Sequence, residues 1–131
     1  MRYLTIEQRE TLQAWLNFRA AVLRREIAGA LRRSGNEAAL GLANHLEEIS
    51  DEAVADLESS IEIAEIERDV RELRQVESAL GRLHEPNYGV CADCDADIPF
   101  SRLSANPTAT RCVQCQGRAE RLLSEPAQPG P

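Results

Sequence analysis

Residues 88–115, YGVCADCDADIPFSRLSANPTATRCVQC, contain all four cysteines of this 131-residue chain. The cysteines form two Cys-x-x-Cys pairs, Cys91 with Cys94 and Cys112 with Cys115, and 17 residues separate the two pairs. Zn²⁺ binds four thiolates as a tetrahedron, and each short pair presents two of them from one tight turn. The spacing therefore predicts one structural zinc ion, with no open coordination position left for catalysis.

Disulfides are the alternative use of these cysteines, and the rest of the sequence argues against them. A disulfide across two intervening residues is strained. Residues 1–4, MRYL, lead directly into a charged, helical stretch and do not resemble a secretory signal. We therefore expect reduced cysteines and a cytoplasmic protein. No apolar run is long enough to cross a bilayer, so no membrane partner is expected.

The composition restricts the classes of fold and partner. Aromatic residues make up only 4% of the chain, which is too few for a large globular core, so we expect an elongated shape. The formal net charge is −7. An acidic chain is repelled by phosphate, and this disfavours direct DNA binding and favours a basic partner surface.

Two long helices are predicted from the spacing of apolar residues. The first begins at Thr5, which can form a capping box with Gln8, and ends near Ser34-Gly35-Asn36. The second covers about residues 51–84 and ends before Pro86. The apolar stripe of the first helix is Leu12, Leu16, Ala20, Leu23, Ile27 and Ala30, and that of the second is Val54, Leu57, Ile61, Ile63, Ile66, Val70, Leu73, Val76, Leu80 and Leu83.

Similar lengths and a modest connection predict that these helices form an antiparallel hairpin. The expected fold is therefore mainly α, a long antiparallel coiled-coil hairpin followed by a small four-cysteine zinc finger and a short terminal helix. We expect the hairpin to occupy residues 1–85, with its tip at about 36–53. The finger and terminal helix would occupy 86–124, and residues 125–131, which contain three prolines and a glycine, would form a disordered tail.

Three further expectations concern the positions of individual side chains. Trp15 lies beside the first stripe and is expected to pack there. Leu122 and Leu123, at the end of a helix predicted over 113–124, are expected to pack back on the hairpin. Ser50-Asp51 can cap the second helix, so from local sequence alone Asp51 has either a capping or a functional role.

The finger has the pattern Tyr88-Gly89-Val90-Cys91-x-x-Cys94-x3-Ile98-x3-Arg102-Leu103-x-Ala105-x-Pro107-x4-Cys112-x-x-Cys115 and follows a long helical hairpin. This pattern resembles the DksA/TraR zinc-finger family of bacterial transcription regulators. The resemblance implies a protein that does not bind DNA but inserts its hairpin into the secondary channel of RNA polymerase. Acidic residues at the tip then act near the catalytic centre. The family's tip motif, Asp-x-x-Asp-x-Ala, corresponds here to Glu48, Asp51 and Ala53, with glutamate in place of the first aspartate.

The resemblance also implies where the alarmone guanosine tetraphosphate (ppGpp) would bind. Family members place three basic side chains at that site, and the corresponding residues here are Gln75, Asn106 and Gln116, all of them neutral. Phosphates are held chiefly by charged donors, so we expect regulation that is largely independent of ppGpp. Arg74 and Arg118 are close enough in sequence to offer substitutes.

Two other functions fit parts of the pattern. A zinc-ribbon DNA-binding protein would need a basic finger, but Arg102 and Arg111 are outnumbered there by three aspartates. A coiled-coil adaptor would self-associate through its stripes, whereas a hairpin buries them within one chain, so a monomer is expected. An enzyme is disfavoured because there is no open metal site, Ser/His/Asp set or phosphate loop, and no catalytic residue or cofactor besides zinc is predicted.

Overall fold

A computed structural model of the chain describes residues 3–33, 41, 43 and 61–124. Its helices are α1 (Ile6–Arg33), α2 (Ile61–Arg82), α3 (Phe100–Ala105) and α4 (Val113–Ser124). Within these ranges the backbone forms no strand, only an isolated antiparallel bridge between Val90 and Asp97. The predicted mainly α fold is confirmed. The predicted tip and tail lie outside the described residues, except that Gly41 and Ala43 are both helical.

The beginning of α1 has the predicted capping box. The Thr5 hydroxyl accepts a hydrogen bond from the Gln8 N–H at 3.0 Å, and the Gln8 side-chain oxygen accepts one from the Thr5 N–H at 2.9 Å. The first N–H groups of a helix have no partner within it, so this reciprocal pair satisfies two donors and fixes the helix start.

Close contacts divide the chain into two units. The hairpin unit consists of the described residues within Gln13–Gly81, and the finger unit consists of those within Met1–Leu12 and Arg82–Pro131. Each unit has its own hydrophobic core. A short segment ending at Leu12 and a longer one beginning at Arg82 thus contribute jointly to the finger unit, and most of α1 and α2 forms the hairpin unit.

Most of the core of the hairpin unit comes from the two predicted stripes, whereas Leu12 and Leu83, one from each stripe, pack in the core of the finger unit. Every residue of the first stripe is buried, and in the second stripe the residues from Ile63 to Leu83 are buried except Leu80, which is partly buried. Ala43 also packs in this core. Since the two helices bury complementary faces against each other, most of their stability comes from this contact and not from helix propensity.

Two ion pairs flank the hairpin core. Arg19 donates two hydrogen bonds to the carboxylate of Glu72, one of them 2.8 Å long, and Arg24 contacts Glu77 at 3.4 Å. The hydrogen bond from Arg19 lowers the pKa of Glu72. All four side chains are about one third to one half exposed, so such pairs contribute at most about 1 kcal/mol each. The stability of the hairpin unit therefore depends mainly on its apolar core and little on these pairs.

Arg9 is a buried charge in the finger unit, with an exposed fraction of only 1%. Its guanidinium donates from Nη1 to the carbonyl of Leu83 and, at 3.4 Å, to that of Glu85. These carbonyls follow the last turn of α2, where a helix carries unpaired acceptors and partial negative charge. Arg9, near the beginning of α1, therefore caps the end of α2. Because the beginning of one helix contacts the end of the other, the helices run antiparallel, as predicted.

Gly89 connects the end of α2 to the first cysteine and has a φ of +85°, which side chains other than glycine rarely adopt. A Cβ atom there would lie 3.0 Å from Leu4 Cδ1 and 3.5 Å from Leu103 Cδ1. Gly81, in the last turn of α2, is different. A Cβ atom at Gly81 would have no other atom within 4 Å.

We therefore expect opposite effects from the same substitution at these two glycines. Gly89→Ala should destabilise the protein by at least about 1–2 kcal/mol, because it combines the unfavourable φ with the contact to Leu4. Gly81→Ala should stabilise it by up to about 1 kcal/mol, because alanine is the better helix former. Urea unfolding followed by circular dichroism measures both. A Gly89→Ala protein as stable as the wild type would contradict the assigned backbone conformation.

Candidate metal centre

The four cysteine sulfurs converge on one point. Their Sγ atoms all lie within 4.8 Å of one another, and those of Cys94 and Cys112 are 3.8 Å apart. A zinc ion with Zn–S bonds of about 2.3 Å holds its sulfurs roughly 3.8 Å apart at the corners of a tetrahedron. A disulfide would need about 2.05 Å, and all four residues are free cysteines. The donor set and its spacing fit one structural zinc ion.

The first pair of cysteines lies in a tight turn. The N–H of Asp95 donates to the carbonyl of Cys91 at 3.0 Å, and the N–H of Cys91 donates to the carbonyl of Ala96 at 2.8 Å. Asp95 has a φ of 64°, the left-handed conformation that aspartate and asparagine tolerate better than most residues. This turn brings the two thiols of the pair to the same side.

The second pair lies at the beginning of α4. The sulfur of Cys112 accepts a hydrogen bond from the N–H of Cys115 at 3.4 Å, and the Cys112 carbonyl accepts one from Gln116 at 2.9 Å. Free N–H groups in the first turn of a helix stabilise negative charge. The helix start therefore favours the thiolate form that a metal requires.

Two hydrogen bonds join the segments that carry the two cysteine pairs, and a third joins α3 to the second of these segments. The N–H of Ala92 donates to the carbonyl of Thr110 at 2.8 Å, and Arg111 Nε donates to the Asp93 carboxylate at 2.8 Å. Arg102, on α3, donates from Nε to the carbonyl of Arg111 at 3.0 Å. Both arginines between the first and last cysteine therefore bond within the finger.

The thiols influence one another's ionisation. Backbone N–H groups, that of Cys112 first, lower the pKa of Cys91 to about 6. Hydrogen bonding to Cys112 and then burial raise the pKa of Cys115 to about 12. One thiolate thus forms readily, but four cannot coexist at this distance without a cation. A bound divalent metal would supply the charge that lets all four sulfurs ionise.

Tyr88 is the central aromatic residue of the finger core and is 1% exposed. Its hydroxyl donates to the carbonyl of Pro107 at 2.7 Å, and burial raises its pKa to about 12, so it stays a neutral donor. The guanidinium carbons of Arg9 and Arg82 each lie 5.9 Å from the centre of its ring. The Tyr3 hydroxyl donates in turn to the carbonyl of Ile98. Aromatic hydroxyls and arginines thus fix the loops that carry the cysteines.

The structure describes three of the predicted site residues outside the metal site and does not describe the other three. Glu48, Asp51 and Ala53 lie outside the described residues. Gln75 is exposed in the hairpin unit. In the finger unit the exposed Asn106 accepts a hydrogen bond from the Thr108 hydroxyl at 2.8 Å, and Gln116 donates from Nε2 to Glu120 at 3.1 Å. Two of the three neutral residues therefore already bond to neighbours within their own unit.

Two packing predictions are wrong. Leu122 and Leu123, on the last turn of α4, are 69% and 88% exposed, because the buried residue of this helix is Cys115 at its opposite end. Trp15 is 41% exposed and is absent from the core cluster of the hairpin unit. Leu16 and Leu12 fill the interface instead, and the one-residue offset turns Trp15 about 100° away from it.

Sequence analysis also missed α3 and the roles of Arg9 and Tyr88. Helix α3 is only six residues long and starts after Pro99, a residue that suits a helix N-terminus. Pro99 and the Asn106-Pro107 pair were a usable signal. No comparable signal identifies Arg9, since its sequence neighbours are charged and polar residues of the kind that usually face solvent.

None of the described helices has the length and apolar character needed to span a membrane.

Replacing any one zinc ligand, for instance Cys112→Ser, should unfold the finger unit and leave much of the hairpin unit helical, because the hairpin has a separate core. Elemental analysis should give one zinc per chain for the wild type and well under one for the variant. Asp93→Asn, beside the site but not a ligand, is the control and should retain zinc. A wild-type protein purified without chelator or oxidant that holds well under one metal per chain would contradict the assignment.

Comparisons with known proteins agree with this geometry. The prokaryotic dksA/traR C4-type zinc finger matches residues 86–121, which include all four cysteines. The RNA polymerase-binding transcription factor DksA of Escherichia coli is 30% identical over 112 residues, 86% of this chain and 68% of that protein. DksA of Salmonella typhimurium is 29% identical over 109 residues, 83% of this chain and 66% of that protein.

A solved structure shows the same fold. Transcription factor DksA2 from Pseudomonas aeruginosa superposes with a TM-score of 0.67, covering 94% of this chain and 91% of that chain at 24% sequence identity. The curated relatives are named as RNA polymerase-binding transcription factors, in agreement with the prediction that this protein is a regulator and not an enzyme. The finger, the hairpin and the extent of the match lead to one conclusion: the chain belongs to the DksA/TraR zinc-finger family.

Proposed function

We propose that this protein is a transcription regulator that binds RNA polymerase, inserts its hairpin tip into the secondary channel and modulates initiation. The observation that carries the proposal is the match to E. coli DksA, named as an RNA polymerase-binding factor, over 86% of the chain. That span includes the hairpin as well as the zinc finger, so the likeness is not limited to a common metal-binding motif.

The hairpin has dimensions that suit a channel. Each α-helix is about 10–12 Å across with its side chains, so a packed pair is roughly 20 Å wide. Residues of α1 and α2, together with Ala43, fill its core. Glu48 and Asp51 are among the acids of the sequence that connects these helices. A carboxylate there can interact with the Mg²⁺ and nucleotides of a polymerase.

The same contacts weigh against the other candidate functions. Arg102 and Arg111, the two cations between Cys91 and Cys115, form hydrogen bonds within the finger. This supports a regulator that does not contact DNA directly. The described residues of the apolar stripes pack within one chain, which supports a monomer over a coiled-coil adaptor. Binding to polymerase would place the protein in the cytoplasm.

Asp51→Asn should leave polymerase binding nearly intact and abolish the effect on initiation. The substitution removes a charge but keeps the capping oxygen, and asparagine caps a helix about as well as aspartate, so stability should barely change. Glu65→Gln, the same charge change at an exposed position on α2, is the matched control. Initiation in vitro at responsive promoters is the measurement. An Asp51→Asn protein that regulates like the wild type would refute the tip assignment, and an equal loss in Glu48→Gln would extend the role to both acids.

The second part of the proposal is that regulation is largely independent of ppGpp. Gln75, Asn106 and Gln116 carry no positive charge, and hydrogen bonds from neutral donors to phosphate are roughly half as strong as charge-assisted ones. Gln116 is also bonded to Glu120, whose carboxylate would repel an anion. These features favour a weak ppGpp site.

We therefore expect that adding ppGpp changes this protein's effect on transcription initiation only slightly. The assay uses purified components and a polymerase that lacks its other ppGpp sites. A triple variant, Gln75→Lys, Asn106→Arg and Gln116→Lys, should gain a ppGpp response because it restores three cations. Strong synergy between ppGpp and the wild type would overturn the prediction. Loss of that synergy in Arg74→Gln or Arg118→Gln would then identify the arginine that replaces the missing charges.

A further inference from the structure

The outer face of α1 carries an exposed aromatic patch. The chain has only one tryptophan and two phenylalanines, yet Trp15 is 41% exposed and Phe18 is 66% exposed. Val22, which is partly buried, follows on the same face. Residues spaced by three and four positions lie side by side on a helix. We call these three residues the Trp15 patch.

Packing within the described part of the hairpin unit does not account for the patch. The inward side of the same helix turns is filled by Leu16, Ala20 and Leu23, each at most 1% exposed. Neither ring belongs to the core cluster that these residues form with α2. The two aromatic side chains are therefore additional to the residues that hold the helices together.

The patch also lacks the charges that cover the rest of the surface. Residues 11–23, TLQAWLNFRAAVL, contain one charged residue, Arg19, while charged residues make up 28% of the chain. Arg19 is bonded to Glu72 on α2. A helix face in contact with water is normally polar. A contiguous apolar face without charge indicates a binding surface.

The size of the patch restricts its partner. Two partly exposed aromatic side chains offer an accessible apolar area of roughly 250 Å² at most. A stable interface that stands alone buries about 800 Å² on each partner, so the patch is too small to hold a second copy of this chain by itself. It has the size and composition of an energetic hot spot, a few aromatic residues at the centre of a larger interface.

We propose that the Trp15 patch anchors this protein in an apolar, uncharged pocket on RNA polymerase. The inference rests on the proposed function, in which the same partner is also contacted elsewhere on the chain and so supplies the remaining interface area. Because the patch carries no charge, its share of the affinity should not vary with salt, unlike contacts between charged surfaces.

Trp15 is the chain's only tryptophan, so replacing it with 5-hydroxytryptophan gives one probe that can be excited apart from the tryptophans of the polymerase. Acrylamide should quench the fluorescence of the probe in the free protein and quench it much less in the complex with polymerase.

The double variant Trp15→Ser/Phe18→Ser should bind polymerase roughly 30-fold or more weakly than the wild type, as expected for a hot spot.

Phe18→Ser and Ile6→Ser form a matched pair, since Ile6 is also on α1 and is 60% exposed but lies outside the patch. Only Phe18→Ser should weaken binding, and both variants should keep wild-type helicity. If the wild type binds polymerase while the double variant binds equally well, or the probe stays fully quenchable in the complex, this inference fails and the proposed function stands.

Two other outcomes would overturn the inference in different ways. If the wild type does not bind polymerase, the proposed function fails and the inference fails with it. If the wild type sediments as a dimer and Trp15→Ser/Phe18→Ser as a monomer, the patch binds a second copy of the chain and the assigned partner is wrong.

Discussion

The finger depends on bringing four sulfur atoms within 4.8 Å of one another. Four thiolates without a metal would repel one another at that distance. The pKa of Cys91 falls, because backbone N–H groups stabilise its thiolate, while hydrogen bonding to Cys112 and burial raise the pKa of Cys115. A divalent cation removes the conflict and makes the free energy of metal binding part of the free energy of folding. Two of the cysteines, Cys91 and Cys115, are also buried members of the finger core, so the metal and the apolar contacts stabilise the same small cluster.

Features encoded by local periodicity were predictable from the sequence. The stripes on α1 and α2 repeat every three to four residues, and the two cysteine pairs have the spacing of a zinc site, so both could be identified without knowing the fold. The burial of Arg9 could not be identified, because it depends on carbonyls 74 and 76 positions away. The exposure of Leu122 and Leu123 was missed for a related reason, since an apolar pair at a helix end has no periodicity that distinguishes a core face from a solvent face.

Arginine has a structural role that lysine could not take over. All fifteen cationic side chains of the chain are arginines. Arg9 bonds to two carbonyls and lies against the Tyr88 ring, while Arg19 forms a two-point contact with Glu72. A planar guanidinium with five donors can bond and stack at once, but an ammonium group acts as a point charge. Although the chain is acidic overall, Arg9 and Arg19 are therefore held by bonds within the structure.

The division of the finger unit between two distant segments has a consequence for biosynthesis. Leu4, Arg9 and Leu12 are made before Gln13–Gly81, but their packing and hydrogen-bonding partners from Leu83 to Cys115 are made only after it. The contacts within the hairpin need less of the chain and can form earlier. Contacts within the finger unit close a loop that contains all of Gln13–Gly81, so they carry a larger entropy cost than contacts within the hairpin. A hairpin that has already formed shortens this loop and so reduces the cost. The segment that carries Leu4, Arg9 and Leu12 therefore stays without its packing partners until the residues after Gly81 have been made.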